Sequence, residues 1–542
     1  MKPVASVIKP NKRAAVISVI YAGAFAFAMF IGAGAARYGA LTVNDPVLWV
    51  TGIISFAIAL IVVYAFLTHT SGTIIDEKPQ SESISLSRPG LIRDWLIIFA
   101  CWLPVFLAEY PGFFVYDAVD EYTSVATRQF TTHHPLMHTL LLGGSVRAGE
   151  VFFGDANVGI AAFILVQMIL LSFVFAWVIS QIGRRGYRVF AMVWYGLFPT
   201  VVMFALCSVK DTLCAAAILL SVVLTVRVLS SRHIPIADLI CLAISLLVMM
   251  LMRHNAVYAY IIYACAAGSY LAAVTAGPVL RRITPAVCMA GLLCVYLIIS
   301  SALAYAFGAD DSEHQEILTV PIQQLARTWS VYSDEMSPEE LETLYEILPE
   351  TTLTHYTPEL SDPVKIGFNN AVYEQDPDRY RRLWIELFIR HPLSYINAWL
   401  DTSYGYYYPY AIVNVYEGHQ TFTYTYTESS YFGYEVEYPG VRHSLIPFID
   451  RFYRWLSLDD DIQRIPVIAR LFSMGALFWV YAFGMAVFVY RRDHMCLIAY
   501  LLPLSIWATL LLGPTFLPRY TVFWWFILPY LIYGITTHST ER

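Results

Sequence analysis

The chain has 542 residues, of which 58% are hydrophobic and only 14% charged, with a net charge of −7 and a mean hydropathy of +0.57. Soluble domains carry about 25% charged residues, so a single water-soluble globule is excluded, and no basic tract with interleaved aromatics supports nucleic-acid binding. Apolar runs of membrane-spanning length recur, continuous rather than alternating, which points to helices and to an all-α polytopic membrane protein.

In chain order the runs predict about twelve spans, at 14–36, 47–67, 92–110, 157–180, 189–207, 211–229, 234–252, 255–275, 283–305, 467–490, 495–513 and 517–537. The first is long for the hydrophobic region of a cleaved signal and reads as a retained signal anchor. Residues 68–91, with Asp76-Glu77-Lys78-Pro79 and a serine-rich run, read as a solvated linker. The expected division is therefore 1–91, a two-helix addition with its linker; 92–305, a membrane core whose loop at 111–156 is polar; 306–466, a separate polar segment; and 467–542, the last helices.

Lysines and arginines near the span ends set the orientation. Lys9, Lys12, Arg13, Arg88, Arg93, Arg184, Arg185, Arg188, Arg232, Arg281, Arg282, Arg491 and Arg492 all fall on one side if 136–149 lies in the interface rather than crossing. That side is predicted to be cytoplasmic in a multi-pass protein of the cell membrane. The 111–156 loop, the 306–466 segment and Pro514–Arg519 then share the outer face.

The outer segment is predicted to be mixed α/β or irregular. Ser337-Pro338-Glu339-Glu340 reads as a helix start, whereas Thr421 to Tyr426 alternates with period two and predicts a strand. Tyrosines crowd the stretch from Tyr404 to Tyr438. All eight cysteines lie in or beside apolar runs and are expected to be small buried hydrophobes rather than disulfides or zinc ligands.

The chemistry-bearing residues gather in the stretch from Glu109 to His138. Asp117, Asp120 and Glu121 sit at the mouth of a span, where acids are costly unless they face water or a functional cavity. Asp117 and Asp120 are three apart, so a helical turn puts them on one side. Partial desolvation is expected to raise a carboxyl pKa there and suit it to general-base work; a solvated loop or a helix cap is the plainer alternative. His133 and His134 follow, as phosphate donors, as metal ligands, or as a turn before an interfacial helix.

A span ending in a short aromatic loop with acids, followed by His134-Pro135-Leu136 at the start of an amphipathic helix, resembles the first outer loop of the GT-C superfamily. These membrane glycosyltransferases use polyprenyl-phosphate sugars; the protein mannosyltransferase and aminoarabinose transferase types are among them. The resemblance covers roughly 90–305 and the C-terminal spans. It implies a GT-C-like fold and a catalytic base at Asp117, with Asp120 and Glu121 as neighbours. Here the loop follows the third span, where the family's follows the first. The histidine pair and the acids about a dozen positions before it leave room for a divalent metal, Mg or Mn, without specifying one.

Lys210, Arg253 with Asn255, and Arg519 with Tyr520 fall at outer junctions of spans. Interfacial cations are costly without an anion, so three on one face suit a phosphate-bearing ligand. Snorkelling side chains and a local Lys210–Asp211 pair are the alternative. An arginine near the last span resembles a donor-phosphate contact in the same superfamily. Gln323, Gln324 and Arg327 offer amides and charge for sugar recognition, or ordinary packing. The expected function is transfer of a sugar from a polyprenyl-phosphate donor to a hydroxyl of a glycan, lipid or protein, inverting the anomeric centre. The competing expectations are a transporter or flippase of a lipid-linked glycan, and an envelope assembly protein without chemistry.

Overall fold

A computed structural model of the chain describes residues 11–69, 90–231, 233–310, 314–413, 436–458 and 461–537. The first twelve helices are α1 (Lys12–Tyr38), α2 (Pro46–His69), α3 (Leu91–Ala108), α4 (Ala118–Thr127), α5 (Leu136–Phe153), α6 (Ala156–Gln181), α7 (Arg185–Leu197), α8 (Pro199–Ala205), α9 (Lys210–Ser230), α10 (Ile236–Met252), α11 (Ala256–Val274) and α12 (Val279–Phe307). A polar stretch follows with α13 (Thr319–Tyr332), α14 (Pro338–Ile347), the single turns α15 (Glu350–Leu353), α16 (Asp362–Lys365) and α17 (Asn370–Tyr373), then α18 (Pro377–Arg390) and α19 (Pro392–Ser403). The chain closes with α20 (Pro447–Leu458), α21 (Asp461–Arg464), α22 (Ile468–Phe472), α23 (Met474–Arg491), α24 (His494–Leu510) and α25 (Phe523–Thr536).

The described residues form an all-α membrane protein. Eight helices (α1, α2, α3, α6, α9, α11, α12 and α23) are long and apolar enough to cross a bilayer. Local chemistry sets their ends: Asn11 caps α1 by accepting from the Ala14 N–H, and Asp155 caps α6 by accepting from the Asn157 N–H.

Every expected span is found as helix, but five differ from the twelve full crossings predicted. The 189–207 run breaks into α7 and α8, bent by 55°. Pro199 lacks an N–H for the ladder and drives Phe198 into extended backbone, φ −68° and ψ 121°. Helices α10 and α24 have 17 residues each, a rise of about 25 Å against a hydrocarbon core of about 30 Å. The 517–537 run opens as a 3-10 turn at Pro518–Thr521 and continues as the 14-residue α25. The 467–490 run keeps a full-length helix only from Met474 onward, after the short α22.

Helix α5 packs on α4 and α6. Its contact with α6 is glycine on glycine: a Cβ at Gly149 would lie 2.4 Å from the Gly159 nitrogen. The described residues of the outer segment are helical and carry isolated bridges but no strand. The Thr421–Tyr426 run lies outside the described residues. Helices α13 to α19 bury a core of their own, including Ile322, Leu325, Leu344, Leu353, Val364 and Leu387. Tyr404, Tyr406 and Tyr407 are buried in the main hydrophobic core together with the apolar helices, and α20 packs back on α3. Four cysteines (Cys241, Cys265, Cys288 and Cys294) are exposed on the apolar surface of α10 to α12, so burial holds for Cys207, Cys214 and Cys496 but not for them.

Candidate functional site

Two separate stretches are pinned together to make the site. The Phe113 N–H donates to the Leu206 carbonyl at 2.9 Å, and the Ser208 N–H donates back to Phe113 O at 3.0 Å. Beneath them the buried Gln167 amide donates to the carbonyls of Ala205 (3.1 Å) and Cys207 (2.8 Å), satisfying the frayed end of α8. Gly112 permits the approach. Its φ is +118°, and a Cβ there would meet Leu206 O at 3.0 Å and Ile164 Cγ1 at 2.8 Å. Asp117 therefore follows one side of the pinned turn and Lys210 the other.

Asp117 stands before α4 and makes no side-chain cap hydrogen bond, which removes the helix-cap alternative. Its carboxylate faces cations. Lys210 Nζ donates to Oδ2 at 2.5 Å, and Arg519 Nη1 donates to Oδ1 at 3.1 Å. Arg519 comes from the 3-10 turn that opens the last apolar run, and its guanidinium lies 4.5 Å from the centre of the Tyr116 ring and 4.7 Å from that of Tyr520. Tyr116 adopts φ +60° to offer that face, a conformation that costs a non-glycine residue about 1–3 kcal/mol and tends to mark functional loops.

The expectation of a raised pKa at Asp117 is reversed. Burial pushes the carboxyl up, but the opposing charges of Arg519 and Lys210 outweigh it and hold the group well below the usual carboxylate range. Asp117 is an ionised clasp between two cations.

His134 sits between the acids. Its Nδ1 is 3.1 Å from Lys210 Nζ and its Nε2 is 3.9 Å from Asp120 Oδ2. An ammonium only donates, so Nδ1 accepts and the neutral ring carries its hydrogen on Nε2. Asp120 is open to solvent, with 77% of its side chain exposed. Glu121 turns inward: it is buried and pairs with the buried His138 at 2.5 Å, tying α4 to α5. Glu121 is thus no surface base, and His138, which composition alone does not mark, is its partner. His133 lies 3.8 Å from Glu316, and Glu316 in turn holds Lys365 at 3.0 Å, so the polar helical unit meets the rim of the site here.

The second cation group is already paired. Lys210 and Asp211 do not pair locally; Arg253 Nη1 donates to Asp211 at 2.6 Å. Arg253 Nε reaches Asn255 at 3.2 Å, and Asn255 donates to Thr509 Oγ1 at 2.7 Å, joining the start of α11 to the end of α24. The Tyr520 ring lies 5.1 Å from the Arg253 guanidinium. Arg253 and Asn255, expected as substrate contacts, therefore brace the mouth from behind. Asp211→Asn is expected to destabilise the protein by about 3 kcal/mol, because Arg253 is left charged and enclosed. The double change Asp211→Leu with Arg253→Met should recover most of the loss in thermal melts; an unchanged melt for Asp211→Asn rules out the brace.

Gln323, Gln324 and Arg327 do not join the cluster. Gln323 is buried and donates to the Thr357 carbonyl at 2.5 Å. Gln324 accepts from the Trp384 indole at 3.0 Å. Arg327 pairs with Asp401 and donates to the Gly39 carbonyl, which docks the polar unit on the first helix pair. Their amphipathic pattern is that of a packed interface.

Residues 124–540 match the DUF6020 model, described as a family of unknown function, and the chain belongs to that family. No curated protein and no solved structure matches it. Lys210, Arg253 and Arg519 fall inside the matched region; Asp117, Asp120 and Glu121 immediately precede it.

Proposed function

We propose that the chain is a GT-C-like integral membrane glycosyltransferase. It moves a sugar from a polyprenyl-phosphate donor to an acceptor hydroxyl on the extracytoplasmic face, with inversion. The observation that carries this reading is the convergence of Asp117 with Lys210 and Arg519, within 3.1 Å although 93 and 402 residues away in sequence. One carboxylate shared by two cations is a place where anions exchange. The donor phosphate takes over Lys210 and Arg519, with the guanidinium suited to forking two phosphate oxygens. Asp117, released from them, faces the incoming hydroxyl.

The reaction is a single displacement. The hydroxyl oxygen bonds to the anomeric carbon as the bond from that carbon to the phosphate oxygen breaks. The electron pair leaves with the phosphate, and the hydroxyl proton passes to Asp117. The leaving group needs charge stabilisation rather than a proton, and fixed cations supply it without reorganisation. The low pKa of Asp117 keeps it ionised before the donor arrives; its basicity rises when the cations turn to the phosphate.

A divalent metal fits poorly. Both oxygens of Asp117 already face cations, and among the described residues no three His, Cys, Asp or Glu side chains stand together to hold one. No step is routed through a metal. A transporter would favour ionisable groups near mid-span. Here Lys210 and Asp211 open α9, and Arg227, paired with Asp238, lies in its last turn.

The test is transfer by the purified chain in lipid nanodiscs, with a panel of polyprenyl-phosphate sugars and soluble, lipid and peptide acceptors. Arg519→Ala is expected to slow transfer by about 100-fold or more. Absence of transfer from every donor, or an undiminished rate in Arg519→Ala, defeats the reading.

A further inference from the structure

Residues 436–446 form a strap along the root of the Asp117 loop. Three of its N–H groups donate to carbonyls of that root: Glu437 to Phe114 (2.8 Å), His443 to Tyr110 (2.9 Å) and Leu445 to Leu107 (3.0 Å). Asn157 of α6 holds the strap midway, donating to the Val441 carbonyl and accepting from the Val441 N–H, each at 2.8 Å. Arg442 pairs with the buried Glu109, and its guanidinium lies 5.0 Å from the centre of the Phe113 ring. The strap therefore touches the residue whose own hydrogen bonds register Asp117 against Lys210.

The strap leads into α20, which lies across the end of α3 rather than along it. Leu445 is bonded to Leu107, Asp450 shares a side-chain hydrogen bond with Glu109, and the buried Tyr453 hydroxyl also lies within the field of Glu109. A helix running down beside α3 would have left that end by about two turns over the same stretch. The faces of α20 differ in character. Tyr453, Leu456 and Ser457 are buried, on a helix that packs on α3. Leu445 and Phe448, each 67% exposed, and Phe452, 45% exposed, follow at three- and four-residue spacing and continue the apolar surface of Leu107, itself 40% exposed. Arg451 and Arg454 are exposed beside them.

We propose that α20 is a docking face for anionic phospholipid in the leaflet that the Asp117 loop faces. Leu445, Phe448 and Phe452 enter the edge of the acyl layer, and Arg451 meets the phosphates above it. Two features commit this face to lipid. Its apolar stripe continues the exposed surface of α3, a helix long and apolar enough to cross the bilayer. Arginines flanking aromatic and aliphatic side chains on one helix suit the boundary between headgroups and acyl chains, and their charge favours anionic over neutral headgroups. The leaflet then holds α20, and α20, through the strap, holds Phe113 and Phe114. None of this depends on what the site transfers.

The experiment uses the full chain in nanodiscs of phosphatidylcholine mixed with phosphatidylglycerol. The photoreactive residue p-benzoylphenylalanine replaces Phe448 or Phe452, or the exposed Glu342 of α14 as a control. Photolysis and mass spectrometry are expected to find phospholipid adducts at 448 and 452 and none at 342. Phosphatidylglycerol should be enriched in them about fivefold over its share of the bilayer, and Arg451→Gln should abolish that enrichment. Phe448→Ser combined with Phe452→Ser removes the apolar anchor, so the strap amides of Glu437, His443 and Leu445 should lose protection from hydrogen exchange while those of α13 keep theirs. Cross-links to a second copy of the chain in place of lipid overturn the assignment. Adducts without enrichment, or enrichment that survives Arg451→Gln, overturn the anionic headgroup as the partner. Unchanged exchange in the double variant overturns the hold of the leaflet on the strap.

Discussion

Asp117→Asn is expected to lower transfer by about 1000-fold, within the range for loss of a general base, while donor binding tightens by about tenfold. The two effects have opposite signs because the carboxylate has two roles. Before the donor binds it competes with phosphate for Lys210 and Arg519 (2.5 and 3.1 Å). An amide of the same shape does not compete for cations, so the phosphate gains about 1.4 kcal/mol. Once bound, however, the acceptor hydroxyl has no group to take its proton. Titration of the variant with polyprenyl phosphate and single-turnover transfer separate the two. Parallel loss of affinity, rate and melting temperature identifies Asp117 as a structural clasp alone; an undiminished rate removes it as the base. The pH profile carries the same sign. A carboxyl held below its ordinary value of about 3.9 by Arg519 and Lys210 stays ionised down to that value. Its contribution to stability is therefore present above pH 3.9 and is lost only as the pH falls through the lowered pKa.

The parts of this architecture that sequence made visible are those governed by local composition. Continuous apolar runs located all the helices of the bundle. Acids at the mouth of a span singled out the loop that follows α3. Hydropathy averaging misled at two prolines inside apolar runs: Pro199 and Pro518 break two predicted spans, and the pre-proline restriction was legible at both, whereas Pro104, Pro285, Pro503 and Pro529 sit inside continuous helices. Side-chain destinations were not legible. Glu121 and Asp120 are adjacent acids on one helix, yet one is buried against His138 and the other has 77% of its side chain in solvent. The difference comes from α5 folding back on α4, a contact between segments that no periodicity encodes. The pairing of Asp117 with Arg519 closes a 402-residue loop. Gln323 and Arg327 show the opposite error: polar residues on an amphipathic helix read as a recognition face, but they are buried where the polar unit docks. Polar patterning marks both surfaces and satisfied interfaces, and only the partner, here Gly39, Asp401 or the Thr357 carbonyl, tells them apart.

Gly112→Ala is expected to cost about 100-fold in transfer while leaving insertion of the spans unaltered. The glycine does two things at once. It accepts φ +118°, and it lets the loop lie against α6 and the end of α8, where a Cβ would be 2.8 Å from Ile164 Cγ1 and 3.0 Å from Leu206 O. Either contact forces the loop outward, and the Phe113–Leu206 and Ser208–Phe113 hydrogen bonds are the first to lengthen. Those bonds register the stretch carrying Asp117 against the stretch carrying Lys210. A displacement near 1 Å is enough for a loss of that order when reacting groups are pre-aligned. Gly144→Ala on α5 is the control, since a Cβ there meets nothing within 4 Å, and it should transfer at the parent rate. Adding Ile164→Ala to Gly112→Ala relieves the side-chain clash but neither the backbone conformation nor the contact with Leu206 O, so recovery should be partial. Full recovery assigns the glycine to α6 packing alone, and an unaffected Gly112→Ala means that some other restraint places Asp117 between its cations.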